Sequence, residues 1–229
     1  SKIMTRKAFE NAVIVASAIG GSSNCTTHLS AIAKHMGIKF DLSNWQKLGH
    51  EIPLLVNCQP AGEYLMESFY RAGGVPAVMQ ELIKNKKIHT NIMTVSGKTV
   101  GINLKRKIET DNKVIKTFKD CLTEKAGFLV MKSNFFDSAI MKTSVISKDF
   151  RERYLSNPKQ PNAFVGKAVV FEGPEDYHKN INNKKLNIDE NSILMIRGCG
   201  AFSYSGAAEV VIMQPPAHYL MIGINTILT

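Results

Sequence analysis

The chain has 229 residues, of which 44% are hydrophobic and 21% charged, and it carries a net charge of +10. That balance excludes a disordered chain, which buries too little apolar surface to offset the entropy of ordering. No apolar run reaches the roughly 18 residues that a membrane-spanning helix needs, which excludes a spanning segment of ordinary length.

The first elements read as helices. Thr5 is the expected N-cap of a helix whose apolar positions Phe9, Ala12, Val13 and Ala16 follow helical spacing, and Gly20-Gly21 ends it. A second helix is expected to start near residues 22–24, to bury Leu29, Ile32, Ala33 and Met36, and to end at Gly37. Asp41 or Ser43 caps a short third helix carrying Trp45 and Leu48 and closed by Gly49. The run IPLLV at 52–56 reads as a short buried strand. A turn-rich stretch, NCQPAGEY, leads to a helix through Met66 and Phe69 that ends at Gly73-Gly74. Pro76 suits the first turn of the next helix, because a proline there removes only an amide that had no partner.

The character changes after about residue 90. Positions 96–125 are polar, lysine-rich and weakly periodic, the pattern of a linker or surface excursion. Beyond them, GFLVM (127–131), AIMK (139–142), KAVVFE (167–172) and SILMIR (192–197) are short runs rich in branched residues and read as strands. Pro174 opens a short helix between the last two. A helical half followed by strands predicts two structural units, 1–95 and 126–229, divided within 96–125.

The positive charge raises nucleic acid as a partner. Its lysines and arginines lie in short runs, Lys84, Lys86 and Lys87, then Lys105, Arg106 and Lys107, then Lys184 and Lys185, without the interleaved aromatics on which single-stranded bases stack. No helix-turn-helix, zinc-finger or RNA-recognition signature accompanies them, so nucleic acid is not the expected partner. Cys25, Cys58, Cys121 and Cys199 form no CxxC pair, which argues against a structural zinc site. The N-terminal residues SKIMTRKAFENA lack a secretory pattern, so a cytoplasmic protein with free cysteines is expected.

Several blocks in order carry a family resemblance. AIGGSSNCTTHLSAIAKHMGI and VNCQPAGEYLMESFYRAGGVPAVMQEL resemble the middle of the dihydroxy-acid/6-phosphogluconate dehydratase family. GFLVMKSNFFDSAIMKTS, FVGKAVVFEGPED and IRGCGAFSYSGAAEVVIMQPP are similar to later blocks of the same family, the last in the style of its sugar-acid members such as arabinonate and xylonate dehydratases. The resemblance implies an α/β fold: the helical end of an α/β N-terminal domain in 1–95 and part of a C-terminal β-barrel domain in 126–229. It implies dehydration of a 2,3-dihydroxy acid to a 2-keto-3-deoxy acid. A 2Fe–2S cluster would bind the leaving hydroxyl and a magnesium ion the carboxylate side of the substrate. It also implies a small-molecule substrate, a homo-oligomer when complete, and no membrane partner. The runner-up activities are the branched-chain dihydroxy-acid dehydratase and a non-catalytic remnant that serves binding or assembly.

The family's cluster-cysteine motifs, of the type CDKTTP and GTCNTM, do not occur in these residues, nor does its GDGRxSGTSG-type serine motif. The expectation is therefore a fragment without cluster cysteines or catalytic serine, inactive alone. Glu209 matches the family glutamate that supplies a magnesium ligand; a glutamate at a helix start is the alternative. Gly20, Gly21, Ser22, Ser23 and Asn24 form a turn at a helix N-terminus. Ser22, Ser23 and Asn24 there either hold an anionic substrate group or simply make a tight helix connection. His28 is a packing residue or a base, and Arg71 pairs with a carboxylate or caps its helix. Ala201, Ser203 and Ser205 replace a proline, a glycine and a proline of the family loop, and Ile212 replaces an asparagine, which removes restrictions that shape a ligand-lining loop.

Overall fold

A computed structural model describes residues 2–131, 139–146, 148–154, 156, 158–159, 165–198 and 213–221. It is a mixed α/β chain divided into two compact units, Ser1–Ile146 and Ser147–Thr229. Among the described residues, no helix is long and apolar enough to cross a membrane.

The first unit is built on α1 (Arg6–Ala18), which has two buried sides. Phe9, Val13 and Ala16 pack with Phe40, Trp45 and Phe128, whereas Ile14 and Ala18 pack with Leu55, Val56, Val78, Leu82 and Ile115. A helix that is apolar on two sides must lie inside a domain. Its one deeply buried amide side chain, Asn11, is satisfied in both directions by residue 89. It donates to the His89 carbonyl and accepts the His89 amide, each at 2.8 Å. Thr5 occupies the N-cap position in extended backbone, but its hydroxyl makes no capping bond. At the other end Gly20 has a φ of +65°. There the amides of Gly20 and Gly21 return to the carbonyls of Ser17 and Ala16 at 3.1 and 2.7 Å, the double closure of a Schellman end.

α2 (Asn24–His35) buries Ala33, with Leu29 packed against the same cluster, but Ile32 and Met36 are exposed rather than buried as the spacing predicted. α2 packs on α1 and α3, and its apolar stripe is wider than the face they cover. α3 (Leu42–Gly49) starts at Asp41, whose carboxylate accepts the Ser43 amide at 3.0 Å. The Trp45 ring stands edge-on to Phe128, with centroids 5.0 Å apart. α4 (Met66–Arg71) and α5 (Gly74–Lys84) follow, with Pro76 in the first turn of α5. α6 (Val100–Asn103) is capped by Thr99. β1 (Phe128–Met131) and β2 (Ala139–Lys142) pair antiparallel, Phe128 opposite Lys142 and Met131 opposite Ala139.

The IPLLV segment is buried but forms no regular strand. Leu54 bridges Thr123 and Val56 bridges Ile115, while the Leu55 amide turns to the Ala18 carbonyl. The stretch 96–125, expected as a linker, supplies those partners. Val114 and Ile115 are 3% and 2% exposed, so this stretch belongs to the core of the first unit. Compactness therefore divides the chain at 146/147, later than the change of sequence pattern.

The second unit begins with α7 (Lys148–Tyr154). β3 (Lys167–Phe171) and β4 (Ser192–Ile196) pair parallel, joined by α8 (Pro174–Asn180), which Pro174 opens at its first position. Alternate β3 residues Val169 and Phe171 are buried with Tyr177, Ile181, Ile188 and Leu194. The Tyr177 hydroxyl accepts the Gln214 amide at 2.6 Å and donates to the Gln214 carbonyl at 3.0 Å. α9 (Ala217–Met221) follows, its first amide bonded to the Asn182 side chain.

Candidate functional site

The turn between α1 and α2 is held by its own side chains. Gly20 must be glycine twice over: its φ is positive, and a Cβ there would stand 2.8 Å from Leu54 Cδ1. After it, Asn24 donates its amide to the Ser22 hydroxyl at 3.2 Å, and Cys25 donates to the Ser22 carbonyl at 3.1 Å. The Thr26 amide and hydroxyl both donate to the Ser23 carbonyl, at 3.0 and 2.7 Å. Three of the amides that open α2 are thus satisfied locally. The amides of Ser22 and Ser23 have no acceptor among the described residues.

Two residues that sequence reasoning missed stand beside this turn. Lys142, at the end of β2, interacts electrostatically with Cys25, and burial lowers the pKa of its ammonium group. Ser144, buried in the 3-10 turn that follows β2, has its hydroxyl 3.6 Å from where a Gly20 Cβ would lie. No local signal marks either; they gain meaning only once the end of β2 and the turn after it lie beside the turn between α1 and α2. Such a turn offers two amides, two serine hydroxyls and a nearby ammonium, a set of donors suited to a carboxylate.

The NCQPAGEY loop and Arg71 have structural partners. Asn57, 7% exposed, holds the NCQPAGEY loop. Its side chain donates to the Lys113 carbonyl at 3.2 Å and accepts the Glu63 amide at 3.0 Å. Arg71 pairs with Glu67 one helical turn away at 2.7 Å, with both side chains exposed. His28 lies at an exposed position of α2, outside the core. Burial pushes the thiols of Cys58 and Cys121 up in pKa, and the carboxylates of Glu124 and Asp120 add to the effect at Cys121. Among the described residues, no group of three or more His, Cys, Asp or Glu side chains gathers to hold a metal. Glu209, Cys199, Ala201, Ser203, Ser205 and Ile212 lie outside the described residues.

Two family models match the chain. The dihydroxy-acid/6-phosphogluconate dehydratase N-terminal model covers residues 1–104, and the C-terminal model covers 113–228. Among curated proteins, the chain is 50% identical over 227 residues to a D-xylonate dehydratase of Caulobacter vibrioides, covering 99% of this chain and 38% of that protein. An L-arabinonate dehydratase of Rhizobium leguminosarum is 40% identical, with 98% of this chain and 37% of that protein covered. A dihydroxy-acid dehydratase of Caldicellulosiruptor saccharolyticus is 37% identical, with 92% and 36% covered. The chain spans well under half the length of these relatives.

Proposed function

This chain belongs to the dihydroxy-acid/6-phosphogluconate dehydratase family, and from that premise we propose that it is a portion of a hydro-lyase acting on a sugar acid. The enzyme removes water from a 2,3-dihydroxy sugar acid and leaves a 2-keto-3-deoxy acid. One observation carries the choice of substrate class: over nearly its whole length the chain shares 50% identity with a D-xylonate dehydratase, against 37% with a dihydroxy-acid dehydratase. The complete enzyme works in the cytoplasm as a homo-oligomer in this reading.

The turn at Ser22, Ser23 and Asn24 would hold the substrate carboxylate. Support comes from the two amides without an acceptor and from the ammonium of Lys142 beside Cys25. Glu209 would be a magnesium ligand, since a carboxylate oxygen is the hard donor that ion takes. Magnesium, when bound, would supply positive charge next to the carbanionic form of the substrate. The cysteines that the structure describes do not fit the family's 2Fe–2S cluster. A cluster takes several thiolates gathered at one place, and among the described residues no three His, Cys, Asp or Glu side chains gather, so Cys25, Cys58 and Cys121 do not form such a set. In this reading these 229 residues alone do not carry out the dehydration.

The test is a graft. The matching 227 residues of the Caulobacter vibrioides enzyme are replaced by this chain, and keto-acid formation is assayed. The graft is expected to turn over D-xylonate, and Glu209→Gln within it to lose about 100- to 1000-fold in turnover. A folded graft that dehydrates only a branched-chain dihydroxy acid would overturn the sugar-acid reading. Unchanged turnover in the Gln variant at limiting magnesium would make Glu209 a surface carboxylate.

A further inference from the structure

A polar cleft of about 340 Å³ lies between α5 and the segment 107–117, within the size range of small-molecule sites. It is a built feature. Gln80 of α5 donates to the carbonyls of Leu104 and Arg106 at 2.8 and 2.6 Å and accepts the Ile108 amide at 3.1 Å. On the next residue, Glu81 accepts the Phe118 amide at 3.1 Å. The two side chains stitch both ends of the irregular segment to the helix, and the cleft opens between the stitches. Ala77, Ile108 and Ile115 give it an apolar lining.

Its charge is uneven. The Glu81 carboxylate is occupied by Phe118, by Asn85 and by Lys84 at 3.1 Å, so Lys84 is neutralised in place. Lys107 and Lys116 also line the cleft and have no carboxylate partner among the described residues. Against their two ammonium groups stands only the carboxylate of Glu109. Residues 105–112 fall between the two matched family ranges, so Lys107 lies outside both, whereas Lys116 falls within the C-terminal range.

We propose that this cleft binds a small organic anion through Lys107 and Lys116, separately from the dehydration chemistry. The recognised group is an oxyanion, carboxylate or phosphate, with the apolar lining receiving the carbon skeleton. Isothermal titration of the chain with citrate and with inorganic phosphate, at ionic strength matched by chloride, distinguishes the two sources. Saturable binding of one or both probes is expected. Lys107→Gln and Lys116→Gln should each weaken it roughly ten- to a hundredfold, the scale of one charge-assisted contact. The melting temperature without the anion should stay unchanged. The double variant Lys184→Gln/Lys185→Gln, which removes charge from a basic run of the second unit, should bind as the parent does. Absence of saturable binding to both probes, or equal loss in the Lys184→Gln/Lys185→Gln variant, would overturn the proposal.

Discussion

At Asp41 the chain turns from extended backbone into α3, and one carboxylate does the capping. The Ser43 hydroxyl and amide hold that carboxyl below the usual carboxylate range, with smaller help from the Asn44 amide and Lys39. Folding therefore favours the ionised form, and the unfolded chain binds the proton more tightly. The capping contribution is complete above about pH 4 and is lost as pH falls through the lowered folded value. Asp41→Asn should keep the cap at neutral pH yet stop titrating, so the stability difference between parent and variant should change only below about pH 4. Asp41→Ala should cost about 1 kcal/mol at pH 7. Thermal melts from pH 7 to 3 read both, and a difference that stays flat over that range would refute the ionisation argument. Thr5 has the same sequence signature and makes no capping bond. Residue type and place limit a cap to a few candidates, and the local backbone then selects among them.

Elements meet in this fold at glycines. A Cβ on Gly127 would stand 1.9 Å from the Gly49 carbonyl oxygen, and one on Gly49 would meet the Ser17 hydroxyl of α1. The start of β1 is thus pressed onto the last turn of α3, which in turn lies on α1, and this contact seats Phe128 against Trp45. The obstacle at Gly127 is backbone and cannot rotate aside. Gly127→Ala is expected to cost at least about 2 kcal/mol, toward the upper part of the range for overpacking. A urea titration should show a lower midpoint with an unchanged slope. A midpoint within error of the parent would mean that β1 can lift away at little cost. In sequence, Gly127 is simply the residue that opens a strand-like run; its role comes from where β1 lands.

Over the whole molecule, the two cores that surround α1 draw every member from residues before Ser147. The fragment Ser1–Ile146 should therefore fold by itself, with cooperative unfolding. Trp45 is the chain's one tryptophan and is fully buried in that unit, which makes its fluorescence a clean probe. The denaturation curve of the fragment, followed by that fluorescence, should be sigmoidal, with a blue-shifted native emission. A fragment ending at residue 95 lacks Val114, Ile115, Ala126 and Phe128 and should show red-shifted emission without a cooperative transition. Cooperative unfolding of the shorter piece would place the unit boundary where the sequence pattern changes instead.

The sequence alone determined most of what local sterics and short-range hydrogen bonds control. Helix ends at Gly20 and Gly37, the cap at Asp41, the opening of α8 at Pro174 and the four strand runs all depend on neighbours a few residues away. Its ordered blocks also identified the family, because spacing among many motifs survives even where their surroundings are unknown. Tertiary structure decided the rest. Whether Ile32 and Met36 are covered depends on what packs against α2, and periodicity reports only that a face is apolar. The lysine-rich stretch 96–125 became core because the amides and carbonyls of Leu54, Leu55 and Asn57 needed partners, and it supplied them from far along the chain. A buried peptide group left unpaired costs free energy that no local pattern registers. That need drew Val114, Ile115 and the two cleft lysines into place.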